Sequence, residues 1–117
     1  MTLRQFILTF VCVLGIACGQ ILFKKAALTL NPANGLTGAI LNPWLLIALL
    51  IYGAATLLWI YILRGTPLLF AYPLFALTFV LVPLMSWYVF GERLNVSTLI
   101  GGFIILVGVA ISVRVQP

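Results

Sequence analysis

Residues 6–25 read Phe6-Ile7-Leu8-Thr9-Phe10-Val11-Cys12-Val13-Leu14-Gly15-Ile16-Ala17-Cys18-Gly19-Gln20-Ile21-Leu22-Phe23-Lys24-Lys25, an apolar run closed by two lysines. The stretch from Phe6 to Phe23 approaches the roughly 20 apolar residues that a helix needs to cross a hydrocarbon core about 30 Å thick. Lipid offers the backbone no hydrogen-bond partner, so such a segment must satisfy its own N–H and C=O groups as an α-helix. Arg4 precedes the run in the manner of a signal peptide, but Gly15-Ile16-Ala17-Cys18 lacks the leucine that opens a lipoprotein cleavage box. The run is therefore read as a retained helix.

The same pattern recurs three times further along. Apolar runs cover residues 44–63, 67–90 and 96–113, separated by short polar connections. Leu30–Asn42 holds Pro32, Asn34, Gly35, Gly38 and Asn42, with Pro43 just beyond, and is expected to be the one sizeable loop. Arg64-Gly65-Thr66-Pro67 is a tight turn, because Gly ends helices and Pro starts them. Gly91-Glu92-Arg93-Leu94-Asn95 is a second. The expected fold is an all-α integral membrane protein, a single domain over residues 1–117 with four transmembrane helices in an antiparallel bundle.

Composition excludes the soluble alternatives. Of 117 residues 65% are hydrophobic and 6% charged, against about 25% charged in an ordinary soluble domain. With no histidine and one acidic residue, the inventory for acid–base or metal chemistry is nearly empty, which argues against an enzyme, a metal site or a cofactor. Cys12 and Cys18 fit no zinc or redox spacing and read as small packing residues. The net charge of +5 comes from Arg4, Lys24, Lys25, Arg64, Arg93 and Arg114, less Glu92. These bases lie between apolar runs rather than on a patch, so no nucleic-acid partner is expected. Four spans put Arg4, Arg64 and Arg114 on one side of the membrane and Lys24, Lys25 and Arg93 on the other. That balance sets no orientation, as in a dual-topology dimer.

Residues that repay closer reading fall on helix faces. Ile16, Gln20 and Lys24 follow one another at i, i+4 and i+8 and share a face. Gly15 and Gly19 form a small-xxx-small pair beside it. Polar groups in a membrane helix are costly and point to function, although a lysine near a helix end also snorkels to the interface. Lys25 points elsewhere and reads as an interfacial anchor. Tyr52, Thr56 and Trp59 share a face of the second helix. Tyr72, Phe75, Phe79 and Pro83 share one of the third, where Pro73 and Pro83 each remove a backbone donor. Such stripes either pack or border a cavity. Glu92 stands beside Arg93 in a turn, where a weak local ion pair is the plain reading. Gly101 and Gly108, seven apart, form a candidate helix–helix interface.

Taken in order, these residues resemble the four-helix branch of the drug/metabolite transporter superfamily. The resemblance rests on Gly19-Gln20-Ile21-Leu22-Phe23-Lys24, Pro67 with Ala71-Tyr72-Pro73, Ser86-Trp87, Phe90-Gly91-Glu92-Arg93-Leu94-Asn95, and Gly101 with Gly108. Small multidrug resistance exporters look similar, but their first-helix glutamate, three residues before the glycine, is Ile16 here, and their third-helix Gly-x-Gly is missing. The subunits of the flippase for undecaprenyl-phosphate-aminoarabinose also lack that glutamate. They resemble this chain in Gly19-Gln20-x-x-x-Lys24, Ala71-Tyr72-Pro73-Leu74 and an acid at Glu92.

The resemblance implies a bacterial inner-membrane transporter that works as a homodimer or as a heterodimer with a similar four-helix subunit. Electrostatics favours a lipid-linked anionic substrate, because no span carries the carboxylate that a cationic drug needs, whereas Lys24 sits at helix-end depth. On this reading Gln20 and Lys24 bind the phosphate or sugar of a polyprenyl-phosphate-linked sugar. Tyr52, Trp59 and Tyr72 line the path, and Glu92 helps at one mouth. The alternatives are export of a small cationic or polar metabolite, and an accessory role beside a membrane glycosyltransferase.

Overall fold

The computed structural model describes residues 3–114, which form helices joined by short connections. The first apolar run becomes α1 (Leu3–Thr29), followed by a 3-10 turn (Pro32–Asn34) and α2 (Gly35–Ile40). Then come α3 (Pro43–Gly65), α4 (Leu68–Phe75), α5 (Thr78–Phe90) and α6 (Val96–Arg114). Four segments are long and apolar enough to cross a membrane: α1, α3, α4 with α5, and α6. Short connections make successive spans antiparallel.

Three departures from the sequence reading matter for the site. First, α1 outruns its apolar stretch. Its 27 residues extend about 40 Å at 1.5 Å per residue, so Lys24 and Lys25 lie inside the helix rather than at its end. Second, the Leu30–Asn42 segment is not all loop: it contains the 3-10 turn and α2, whose Leu36 and Ile40 are exposed. Third, the 67–90 span is interrupted at Ala76–Leu77, between Pro73 and Pro83. There the backbone tightens to three-residue bonds, from the N–H groups of Leu77, Phe79 and Val80 to the carbonyls of Leu74, Ala76 and Leu77. The Phe75 carbonyl, which Phe79 N–H would otherwise reach, instead accepts from the Thr78 hydroxyl at 3.0 Å.

Helix ends follow capping rules. Asn42 caps α3, its side-chain oxygen accepting from the N–H groups of Trp44 and Leu45, with Pro43 in the first turn. Gly91 ends α5 in the left-handed conformation, φ +68°, a region that costs a residue with a Cβ. The Asn95 side chain accepts from Thr98 N–H at the start of α6.

Between helices in lipid there is no hydrophobic drive, so close packing of small residues matters most. α1 is the most buried span and α6 the least. α1 runs along α3 and also meets α4 and α5, while α6 packs on α4 and α5 at the edge of a thin assembly of 54 × 37 × 17 Å. Gly15 and Gly19 permit the α1–α3 approach: a Cβ at Gly15 would stand 3.3 Å from Ala55 Cβ, and one at Gly19 3.0 Å from Tyr52 Cδ2. Cys12 is buried there and donates its thiol to the Ala55 carbonyl at 3.1 Å. Cys18 is exposed, so only Cys12 serves as a packing residue.

Candidate functional site

The Ile16–Gln20–Lys24 face of α1 borders a cavity of about 390 Å³ between α1, α3 and the broken span. Its polar lining is the Gln20 amide, the Tyr52 phenol and Thr78, set among Ile16, Phe75, Phe79, Val82 and Pro83. Each helix contributes for a local reason. Gly19 lets the Tyr52 ring come close beside Gln20, and the interruption after Phe75 re-aims the start of α5, which carries Thr78 and Phe79. Tyr52 is further held by Phe23, with ring centroids 5.5 Å apart at 56°.

Trp59 and Tyr72 occupy a different place from Tyr52. Both meet Phe75: Trp59 edge-on at 5.3 Å, Tyr72 stacked at 5.8 Å with the rings 3° from parallel. Phe75 lines the cavity, whereas Trp59 supports it from the core and Tyr72, 62% exposed, faces outward beside Leu68, Leu69 and Pro73. The three rings thus form one aromatic cluster around Phe75 rather than three separate wall positions.

One helical turn beyond Gln20, the Lys24 ammonium lies 3.9 Å from a Glu92 carboxylate oxygen. This corrects one expectation: Glu92 is partnered by Lys24 rather than by Arg93. Antiparallel spans bring them together, since the end of α1 and the turn after α5 lie at the same membrane face. Both side chains are about half exposed, 50% and 51%. Such a pair is worth at most about 1 kcal/mol, so either partner exchanges easily for a ligand group. Lys25 points away and stands 4.0 Å over the Trp44 ring, a cation–π anchor at the interface.

Phe75, Phe79 and Pro83 line the cavity from the face that the sequence marked as a candidate border, whereas Asn42 and Thr78 shape the site without having been singled out for it. Asn42 is buried; besides capping α3, its amide donates to the Ala26 carbonyl at 3.3 Å and to the Thr29 hydroxyl at 2.9 Å. It thereby ties the last turn of α1, just beyond Lys24, to the start of α3. The Asn42-Pro43 pair was the available signal, an N-cap residue followed by a first-turn proline. At the far edge, Gly101 and Gly108 would each direct a Cβ into open space, whereas Gly102 faces Val80 Cγ2 at 3.7 Å.

Four apolar spans, three of them around a cavity lined by Gln20 and Tyr52, with a loose ion pair one turn further on, are the frame of a small multi-pass membrane transporter. Curated relatives narrow the class. A protein of Sodalis glossinidius is 35% identical over 90% of this chain and 93% of its own length, and one of Aeromonas salmonicida is 32% identical over 89% and 91%. A protein of Pectobacterium atrosepticum is 42% identical over 56% of this chain and 58% of its own. All three are described as the probable 4-amino-4-deoxy-L-arabinose-phosphoundecaprenol flippase subunit ArnE. The chain belongs to this family of lipid-flippase subunits, which are transporters and not enzymes. No family model and no solved structure matches it.

Proposed function

We propose that this protein is one subunit of a flippase that moves a polyprenyl-phosphate-linked amino sugar across the bacterial inner membrane. The observation that carries the reading is the Lys24–Glu92 pair, loosely held one turn beyond the Gln20–Tyr52 cavity. A phosphate and a sugar amine bear opposite charges on one headgroup. The Lys24 ammonium takes the phosphate while the Glu92 carboxylate takes the amine, so the ion pair opens without leaving either charge unpaired. Gln20 and Tyr52 supply hydrogen bonds to sugar hydroxyls that leave water, since unpaired polar groups in the membrane cost several kcal/mol each. The prenyl tail stays in lipid. The open α6 face with Gly101 and Gly108 supports pairing with a second, similar four-helix subunit, the small residues allowing two helices to approach closely.

The test is headgroup accessibility of a fluorescent polyprenyl-phosphate sugar in liposomes, with the chain reconstituted alone and with its partner subunit. Lys24→Arg should keep part of the activity because it keeps the charge. Lys24→Gln should lose most of it while helix content is unchanged. Equal flipping by Lys24→Gln and the parent overturns the phosphate assignment, and faster uptake of a quaternary ammonium dye than of lipid turns the reading to a cation exporter. Glu92→Gln should slow the amino-sugar lipid more than an analogue whose amine is replaced by hydroxyl.

A further inference from the structure

The membrane face opposite Lys24 carries its own cluster. The start of α1 and the end of α3 enclose a pocket of about 410 Å³ lined by Arg4, Gln5, Tyr61 and Arg64, among others. Arg4 donates to the Tyr61 hydroxyl at 3.3 Å, and the Gln5 amide donates to the Gly65 carbonyl at 2.7 Å, fastening the two helix ends together. Because the Tyr61 oxygen accepts from Arg4, its own O–H proton is left to donate elsewhere. Next to Gly65, the Thr66 hydroxyl is buried without a hydrogen-bond partner among the described residues. The chain's single acidic side chain, Glu92, pairs with Lys24 at the other face, so no acidic side chain is available to neutralise the two guanidiniums.

We infer that this pocket is a second phosphate-binding site, recognising a phosphate-bearing anion at the face that carries the start of α1 and the end of α3. A guanidinium is a fork of donors matched to phosphate oxygens. Two forks from different helices lining one pocket, with a phenol bound to one of them, suit a tetrahedral anion better than a planar carboxylate. A lone arginine at an interface merely snorkels. Here the guanidinium of α1 is held by a tyrosine of α3, one turn from the second guanidinium, which fixes donors before any ligand arrives. The site stands on these contacts and not on the assignment of Lys24. With both sites occupied in turn, a phosphate headgroup has a cationic station at each face.

The test is modification of the full chain in nanodiscs by phenylglyoxal, with each arginine followed by peptide mass spectrometry. In phosphatidylcholine containing phosphatidic acid, Arg4 and Arg64 should react several-fold more slowly than in phosphatidylcholine alone, while Arg93 and Arg114 serve as internal references. Inorganic phosphate added to phosphatidylcholine discs distinguishes a free anion from a lipid headgroup, and protection in either arm supports the site. Arg64→Gln should weaken the protection of Arg4 about tenfold, as loss of charge-assisted hydrogen bonds requires, and Tyr61→Phe less. Protection should persist in Lys24→Gln, which disables the opposite site. Unchanged rates at Arg4 and Arg64 in both arms, equal slowing of all four arginines, or loss of protection in Lys24→Gln would each overturn the proposal.

Discussion

A hydrogen in place of a side chain at Gly19 leaves room for the Tyr52 ring, whose Cδ2 would stand 3.0 Å from a Cβ built there. Gly53 on α3 has nothing within 4 Å of the same construction. Gly19→Leu should therefore destabilise the fold by about 1–3 kcal/mol through overpacking, with Gly53→Leu nearly neutral. Reversible unfolding in mixed micelles with increasing dodecyl sulfate reads both. Asn42 is the second sensitive residue, because one amide caps α3 and bridges to Ala26 and Thr29. Asn42→Ala removes a cap worth about 1 kcal/mol and the two amide bonds to Ala26 and Thr29, although the Thr29 hydroxyl still donates to the Ala26 carbonyl at 3.0 Å. The same assay should show a loss of about 2 kcal/mol. Asn42→Ser should fall between, since a hydroxyl still accepts from the first turn.

The third span shows how an element absorbs two prolines. Pro83 cannot donate to the Phe79 carbonyl, and its ring crowds that group. The chain responds upstream with three-residue bonds and with the Thr78 hydroxyl on the Phe75 carbonyl. The resulting break turns Phe75 and Phe79 toward the Gln20–Tyr52 cavity. Pro83→Ala should restore a donor and draw α4 and α5 toward one straight helix. Its ends, residues 68 and 90, would then approach the separation of about 33 Å set by a 1.5 Å rise. Spin-label distances between those positions check this, and transport should fall as the cavity wall straightens. An unchanged distance distribution would show that Pro73 alone sets the break.

At the scale of the whole molecule, the asymmetry of burial is the main physical fact. α1 contacts α3, α4 and α5, whereas α6 is the least buried span and has Val109 as its one buried residue. Gly102 faces the protein and Gly101 and Gly108 face away, so the two sides of α6 make separable predictions. Gly108→Leu should shift native mass spectra toward the single subunit while leaving unfolding unchanged. Gly102→Leu should destabilise the fold by pressing on Val80. An oligomer distribution indifferent to Gly108→Leu removes this face as the subunit contact.

What the sequence determined by itself is what depends on short range. Roughly 20-residue apolar runs specify spans because lipid forces each backbone to bond within itself. Helical periodicity puts Gln20 and Lys24 on one face, and the Gly15–Gly19 pair marks a close contact. Prolines 73 and 83 announced a perturbed third span, but which turn opens depends on where a substitute donor such as Thr78 is found. The tertiary structure alone decided what each face meets. Lys24 and Glu92 are far apart in the chain and become an ion pair because antiparallel packing returns the α5 turn to the end of α1. Tyr52, Trp59 and Tyr72 look equivalent as aromatic residues on apolar helices, yet of the three only Tyr52 lines the cavity, because Phe75 takes the inner position with Trp59 edge-on to it and Tyr72 stacked on it. Periodicity assigns a side chain to a face of its own helix; which neighbour covers that face is a property of the packed whole.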